Sequence, residues 1–321
     1  MIKVGLIGLN YYSHSVQIYQ SILKQALLFE VAGYCLPEGE AEKYPEKTAC
    51  LAGLRELSLT QMLADPSIDA VIVETDEIYL TKYALAAAKA GKHVHMEKPG
   101  GNDLAAFEAL IRTAEEHGTV LHLGYMYRYN PAVQALLRRI KGGELGEIIS
   151  VEAQMSCIQK PAVRQWLGQL PGGQMFFLGC HLIDLILQIQ GLPRKVLPLS
   201  TDAEYGFAAL QYEKGISFAK THAAEYGGFA RRGLTVTGTK ATVELRPLEV
   251  GKESDMHTCR TEYTSEKWGD GGTVSQSAPC DRYDSMMAAF ADYAAVKKLN
   301  PYTYDYELSL YKTFLAACGL H

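Results

Sequence analysis

The strongest constraint on the fold is the alternation of two hydrophobic periods along residues 1–124. Short apolar segments with the character of buried strands alternate with longer segments of helical period. The strand-like segments are 2–7, 30–35, 69–74, 92–96 and 119–123. The helix-like segments are 13–25, 58–65, 80–90 and 102–117. Strands that alternate with helices form right-handed βαβ units, so this part of the chain predicts an α/β fold with a doubly wound parallel sheet.

Local signals mark where several helices begin. Ser58 and Gln61 have the spacing of a capping box before a short helix. Asn102 is expected to cap the helix that runs to residue 117. Asn130 is expected to cap, and Pro131 to open, a further helix beyond the last parallel strand.

The pattern changes after residue 124. Strand-like segments then follow one another with short turns, at 148–156, 205–212, 216–223, 233–237 and 242–245. Such a succession predicts an antiparallel sheet, closed by helices at 281–298 and 306–317. Residues 251–279 are polar and weakly patterned, so we expect a long hairpin or loop of open role. The sequence therefore predicts two domains, 1–124 and 125–321, which suits a length of 321 residues.

Charge, cysteine usage and hydropathy exclude several classes of protein. The net charge is −5 and no basic block offsets it, which argues against nucleic acid as a partner. The seven cysteines are widely spaced and form no C-x-x-C, which favours reduced thiols in a cytoplasmic protein. The longest apolar stretch, 176–191, is interrupted by polar residues, so no membrane span is expected. The N-terminus runs directly into the first strand, so we expect no secretory leader.

The turn after the first strand is a candidate nucleotide-binding turn. A helix N-terminus and free backbone amides attract a pyrophosphate there, and the usual G-x-G-x-x-G allows close approach. Only Gly8 of that pattern is present; Asn10 tolerates a left-handed conformation and Ser13 is small. Tyr11 and Tyr12 place bulk where phosphate would approach. An ordinary βα turn is the alternative interpretation.

The position that usually grips the adenine ribose is also altered. The second strand ends at Cys35 and is followed by Leu36, where an acidic residue is usual. Glu38 and Glu40 lie just beyond and offer substitutes. The sequence therefore leaves NAD and NADP unresolved.

Two later segments carry candidate chemistry. Lys98 follows the strand-like segment 92–96 and precedes a proline, which restricts it to extended geometry at the carboxyl edge of the sheet. A surface lysine in a turn is the alternative. His181 and Asp184 are three residues apart and share one helix face, either as a buried structural pair or as an oriented general base.

These pieces in this order resemble one known family over nearly the whole chain. The segments that carry the resemblance are LADPSIDAVIVET, ALAAAKAGKHVHMEKP, GYMYRYNPAV, GELGEIISVEA and GGQMFFLGCHLIDLI. They are similar to the glucose-fructose oxidoreductase / inositol dehydrogenase / rhizopine catabolism (Gfo/Idh/MocA) family. The resemblance implies an N-terminal Rossmann-type domain that binds NAD or NADP. It also implies a C-terminal α+β domain with an open, mainly antiparallel sheet, through which members form homodimers or homotetramers.

The resemblance also implies roles for individual residues. Members oxidise or reduce a hydroxyl-bearing carbon of sugars and polyols. Lys98, His181 and Asp184 match catalytic positions, with His181 as the base for the hydroxyl proton. The cofactor-binding positions are Gly8, Asn10, Tyr11, Tyr12, Leu36, Thr75, Glu97 and Lys98. The substrate-binding positions are Tyr125, Arg128, Trp166 and His181. No metal is expected.

Four departures fall on these positions. The phosphate turn and the ribose acid are altered, Phe177 stands where members often carry Asp, and 75–77 reads Thr-Asp-Glu in place of Thr-Pro-Asn. Two interpretations stay open: a divergent oxidoreductase of a sugar-like molecule, or a non-catalytic small-molecule-binding or regulatory homologue. Metal-dependent hydrolysis through His93, His95 and His122 is a third, although histidines near a sheet are more often core residues than ligands.

Overall fold

The computed structural model describes residues 1–320, which divide into two compact units. The first unit comprises Met1–Tyr125 together with Tyr283–Leu308. The second comprises Met126–Arg282 and the residues from Ser309 onward. The sequence-based boundary at 124 assigned everything after it to a second domain, whereas the structure groups Tyr283–Leu308 with the first unit.

The first unit is built on a five-stranded parallel sheet, as the alternating pattern predicts. Its strands are β1 (Ile2–Ile7), β2 (Phe29–Cys35), β3 (Ala70–Val73), β4 (His93–Met96) and β5 (Leu121–Leu123). The spatial order is β2-β1-β3-β4-β5, and every neighbouring pair is parallel. The connecting helices are α1 (Ser15–Lys24), α2 (Glu40–Lys43), α3 (Leu59–Ala64), α4 (Leu80–Lys89) and α5 (Leu104–His117). The Rossmann-type prediction is confirmed.

The helix caps follow the sequence signals with one exception. Ser58 and Gln61 form a complete capping box at the start of α3. The expectation that Asn102 caps α5 is wrong: Asp103 accepts a hydrogen bond from the backbone N–H of Ala106 at 3.1 Å. Position 103 directly precedes the first helical residue, and only from there does a short side chain reach the amides of the first turn.

The second unit contains an eight-stranded, mostly antiparallel sheet. Its strands lie in the order β15-β14-β11-β10-β6-β9-β8-β7, and only β6 and β9 run parallel. These eight are β6 (Ile148–Gln154), β7 (Lys195–Pro198), β8 (Tyr205–Gln211), β9 (Ile216–His222), β10 (Gly233–Gly238), β11 (Thr242–Leu245), β14 (Cys259–Tyr263) and β15 (Thr273–Gln276). A separate hairpin consists of β12 (Val250–Lys252) and β13 (Asp255–His257). The predicted α+β class of this part of the chain, with a mainly antiparallel sheet, is confirmed.

The helices of the second unit include the element that carries the candidate histidine. They are α6 (Pro131–Lys141), α7 (Pro161–Leu167) and α8 (Cys180–Gln190). Asn130 caps α6 and Pro131 opens it, as predicted. A π-helical turn, Met175–Gly179, leads directly into α8, which packs against β6 and is almost wholly buried.

Two helices close the chain. Helix α9 (Asp284–Ala294) lies in the first unit, and α10 (Tyr304–Ala317) begins in the first unit and ends in the second. No helix within residues 1–320 is both long enough and apolar enough to cross a membrane. The seven cysteines, all within that range, are unbridged.

Candidate active site

The loops after β1, β3 and β4 form the candidate nucleotide-binding edge of the first unit, since these three strands are neighbours in the sheet. Gly8 directly follows β1 with φ +83°, and a Cβ there would lie 2.6 Å from Cβ of Thr75. Only glycine allows this close approach. The buried Asn10 donates from Nδ2 to Oε2 of Glu74 at 3.3 Å, which ties the first loop to the second.

Buried carboxyl groups surround Lys98 at this edge. Glu74, Glu77 and Glu97 are each at most 3% exposed, and Lys98 is 2% exposed. Burial raises the pKa of all three carboxyl groups, that of Glu74 to about 8, while the charge of Lys98 opposes the rise. Lys98 Nζ lies 3.6 Å from Oε1 of Glu97. Lys98 is therefore buried together with three carboxyl groups whose pKa is raised. It is not the surface lysine of the alternative interpretation.

The loop that carries Lys98 is packed tightly against its surroundings. A Cβ on Gly124 would lie 2.5 Å from Oε2 of Glu97. Gly101 lies against the Thr81 side chain, and the Thr81 hydroxyl donates to the Gly100 carbonyl at 2.5 Å. These contacts fix the backbone of the loop that carries Lys98.

The backbone amides of the candidate phosphate turn are already engaged within the chain. The N–H of Tyr11 donates to Oδ1 of Asp76 at 2.9 Å. The N–H of Asn10 donates to Oγ of Ser15 at 3.4 Å. The Tyr11 ring is 39% exposed and its centroid lies 3.8 Å from that of Tyr12. The N–H groups of Asn10 and Tyr11 thus have side-chain acceptors within the chain, and one of these is a carboxylate.

The acidic residues beyond β2 are engaged as well. Glu38 accepts from Lys82 Nζ at 2.6 Å and from the Tyr83 hydroxyl, and these hydrogen bonds lower its pKa. Glu40 is buried and accepts from the Thr75 hydroxyl at 2.9 Å. Leu36 is half-buried just after the strand. Of the two substitutes for a ribose acid, only Glu38 is not fully buried.

In the second unit, Asp184 pairs with Arg128. Arg128 is fully buried, and its Nη2 donates to Oδ1 of Asp184 at 2.8 Å while Nε reaches both carboxylate oxygens at 3.1 Å. Gln188 donates to Oδ2 of the same carboxylate at 2.8 Å. The Asp184 carboxylate thus pairs with the buried Arg128 guanidinium. The sequence analysis had considered this carboxylate chiefly as a partner of His181. Gln188 was missed, although its i+4 spacing from Asp184 was a usable signal.

His181 lies at the start of α8 in an aromatic environment. It is 4% exposed, and its ring meets the Tyr127 ring edge-on with centroids 5.1 Å apart. Burial raises the pKa of Tyr127, which keeps its hydroxyl protonated. Trp166 on α7 meets the Phe177 ring edge-on at 5.2 Å. Of the alternating tyrosines at 125, 127 and 129, only Tyr125 was assigned as a substrate-binding residue from the sequence.

Tyr125 and the three histidines considered as ligands belong to the first unit. Tyr125 is buried at 1% exposure. Nδ1 of His95 and Nδ1 of His122 lie 2.7 Å apart in the core, and His93 accepts from the Val120 N–H at 2.9 Å. Across residues 1–320 no group of three or more His, Cys, Asp or Glu side chains could hold a metal ion.

Comparison with known proteins agrees with the two-part architecture. Residues 2–125 match the profile of the Gfo/Idh/MocA oxidoreductase family with an NAD-binding Rossmann fold, and residues 133–244 match a Gfo/Idh/MocA C-terminal domain. An uncharacterized oxidoreductase of Escherichia coli (strain K12) is 30% identical over 262 residues, covering 74% of this chain and 71% of its own length. The 1,5-anhydro-D-fructose reductase of Ensifer adhaerens is 26% identical over 245 residues, covering 73% of this chain and 71% of the reductase.

A solved structure shows the same fold. A 3-ketoreductase from Actinomadura kijaniata, in complex with NADP and TDP-benzene, superposes with a TM-score of 0.76. The match covers 98% of this chain and 96% of the ketoreductase at 18% sequence identity. At that identity the likeness establishes the fold alone.

Proposed function

Because the chain belongs to the Gfo/Idh/MocA family of oxidoreductases, we propose that it transfers a hydride between a nicotinamide coenzyme and a hydroxyl-bearing carbon of a sugar-like or related small molecule. The observation that carries this proposal is the buried Lys98 at the end of β4. A lysine that is only 2% exposed is costly to bury unless its charge is balanced or used. Its position at the carboxyl edge of a parallel sheet is where such folds bind their ligands.

In this proposal Lys98 and His181 both act on the hydroxyl group of the substrate. The bound coenzyme supplies or accepts the hydride. His181 accepts the hydroxyl proton on its imidazole during oxidation and returns it during reduction. Lys98 donates a hydrogen bond to the same oxygen and stabilises the negative charge that develops there.

The remaining site residues bind and position. Arg128 and Asp184 fix α8 through their buried ion pair and so orient His181 one turn away. Tyr125 and Trp166 contact the substrate. The residues that would hold the coenzyme are Gly8, Asn10, Tyr11, Tyr12, Leu36, Thr75, Glu97 and Lys98. NAD and NADP both remain candidates.

Sugar-like substrates are favoured by the relatives. The reductase of Ensifer adhaerens, at 26% identity, is named for a sugar derivative, 1,5-anhydro-D-fructose. We further propose a cytoplasmic homodimer or homotetramer that associates through the second unit's sheet, with neither a nucleic acid nor a membrane as partner.

A non-catalytic homologue is the alternative that two observations favour. The hydrogen bond from the Tyr11 N–H to Asp76 occupies the phosphate turn, and Phe177 replaces an acid near His181. A protein of this kind would keep the fold and bind a small molecule without redox turnover.

Titration of the purified protein with NADH and NADPH separates the two functions. Binding of either coenzyme stabilises the native state by mass action, so the unfolding temperature rises and the nicotinamide fluorescence changes. The absence of both responses at millimolar coenzyme overturns the oxidoreductase proposal. A panel of aldoses, polyols and their keto derivatives then identifies a substrate.

Two substitutions test the chemical roles on that substrate. Lys98→Met and His181→Ala should each lower kcat by about 10²–10⁴-fold, far more than they weaken coenzyme binding, because general acid–base and electrostatic groups act mainly in the transition state. Lys89→Met and His117→Ala, at exposed positions, are the matched controls. Unchanged kcat in either test variant removes that residue from the mechanism.

A further inference from the structure

Asp76, in the loop after β3, makes an unusual set of contacts. One carboxylate oxygen accepts from the backbone N–H of Tyr11 at 2.9 Å. The Tyr44 hydroxyl donates to both oxygens, at 2.9 and 2.7 Å. The carboxylate therefore accepts from two donors, the shared Tyr44 hydroxyl and a backbone N–H of the turn that follows the first strand.

That turn is where a doubly wound fold presents backbone N–H groups to a dinucleotide pyrophosphate. A carboxylate and a phosphate are alike in the two properties that matter there, since both are negatively charged and both accept hydrogen bonds. While Asp76 accepts from the Tyr11 N–H, that donor is engaged, and a phosphate oxygen brought beside it would meet a like charge.

Neighbouring groups hold Asp76 in this position. Burial, together with the adjacent Asp76 charge, raises the pKa of Tyr44, so its hydroxyl stays a donor. The rings of Tyr11 and Tyr44 stack with centroids 5.8 Å apart. Lys47 donates to the carbonyls of Asn10 and Tyr11, which fixes the turn from its other side.

We propose that Asp76 is a built-in competitor of the coenzyme, a carboxylate that occupies the anion position of the nucleotide turn and must be displaced by the pyrophosphate. It sets the coenzyme affinity of this chain. This inference rests on the proposed function, since it concerns how the same site receives its coenzyme.

Removal of the carboxylate should strengthen the binding of pyrophosphate-containing ligands. Asp76→Ala removes both charge and acceptor, and Asp76→Asn keeps the size without the charge. We expect Asp76→Ala to lower the Kd of NADH, NADPH and ADP-ribose by about tenfold or more, with a smaller gain for Asp76→Asn. Adenosine has no phosphate, so its Kd should stay within about twofold. Isothermal titration calorimetry measures all four ligands.

The control is Asp65→Ala. Asp65 also accepts from a backbone N–H, that of Ser67 at 2.8 Å, but it lies in the loop after α3. Its removal should leave every Kd unchanged, and unfolding temperatures of all variants show whether each is folded.

The outcomes separate this inference from the proposed function. If wild type binds coenzyme and neither Asp76 variant binds more tightly, the inference is overturned and the function stands. If only the Asp76 variants bind, the inference stands and the oxidoreductase proposal fails for the native chain. An equal gain for adenosine, or no binding by any variant, overturns the inference.

Discussion

Arg128 is a fully buried arginine whose guanidinium group pairs with the carboxylate of Asp184. The sequence marked both residues as members of the site but could not show that they pair. They are 56 positions apart, and helical spacing connects Asp184 only with its near neighbours such as His181. Long-range pairs of this kind depend on how elements pack, which local spacing does not encode.

Breaking this pair should destabilise the protein strongly. Asp184→Ala leaves the Arg128 charge buried without its carboxylate, which should lower the free energy of unfolding by about 3–5 kcal/mol. The double variant Arg128→Met with Asp184→Leu removes both charges and should lose less. Urea unfolding followed by circular dichroism measures both. Equal losses in the single and double variants would contradict a dominant charge pair.

Glu74 should make stability depend on pH. Burial raises its pKa from 4.5 to about 8, so between these values the native chain keeps a proton that the unfolded chain releases. The contribution of Glu74 is therefore complete below about pH 4.5 and is lost as the pH rises through about 8. Glu74→Gln should remove this part of the decline in the free energy of unfolding, roughly a few kcal/mol between pH 5 and 9.

Urea unfolding at pH 5, 7 and 9 provides the measurement for Glu74. Glu116→Gln, at an exposed position of α5, is the control and should keep the wild-type slope. A wild-type slope in Glu74→Gln as well would show that other groups cause the decline.

At the scale of elements, hydrophobic periodicity predicted most of the strands and helices. It failed for edge strands whose sequences lack an apolar alternation. The buried strand β3 is a continuous apolar run and β1 is interrupted only by Lys3 and Gly5, so their sequences alone mark them. In contrast, the sequence predicted only a long hairpin or loop for 251–279 and no individual strands, whereas the structure has the antiparallel pair β14 and β15 there. They lie at the edge of the eight-stranded sheet, where β15 is largely exposed and needs no apolar alternation. The short β7, at the opposite edge, was missed for a similar reason.

The start of α5 offers a paired test of helix capping. Asp103→Ala removes the side chain that accepts from the Ala106 N–H and should lower the free energy of unfolding by about 1 kcal/mol. Asn102→Ala, one residue earlier, should change it by less than about 0.5 kcal/mol. Urea unfolding of the two variants under one set of conditions gives the comparison. The reverse ranking would restore Asn102 as the cap.

At the scale of the whole molecule, the eight-stranded sheet has one face whose side chains are only partly buried. Along β8 and β9 every second residue is buried, and the residues between them are half-buried or exposed. Phe207 and Phe218 stack on this second face with centroids 5.3 Å apart. Large apolar side chains on an exposed sheet face favour association with another surface.

Charge on that face should disrupt assembly. Phe207→Glu and Phe218→Glu should each convert a homodimer or homotetramer into a species near the chain mass of 35.4 kDa, because an unpaired carboxylate is costly to bury. Light scattering coupled to size-exclusion chromatography measures the mass. Leu299→Glu, in the first unit and 88% exposed, is the control. Wild-type mass in both phenylalanine variants would exclude this face as the interface.

The segment Tyr283–Leu308 packs with the first unit although it follows the second unit's sheet in sequence. This order affects folding during synthesis. Phe290 of α9 stacks on His122 with centroids 5.3 Å apart, and Asn300 donates to the Leu121 carbonyl at 3.2 Å. The parallel sheet thus depends on residues that are synthesised after all the strands of the second unit. Domains usually fold in order from the N-terminus during synthesis. Here residues 1–125 stay incompletely covered until the strands of the second unit and the segment Tyr283–Leu308 have been translated.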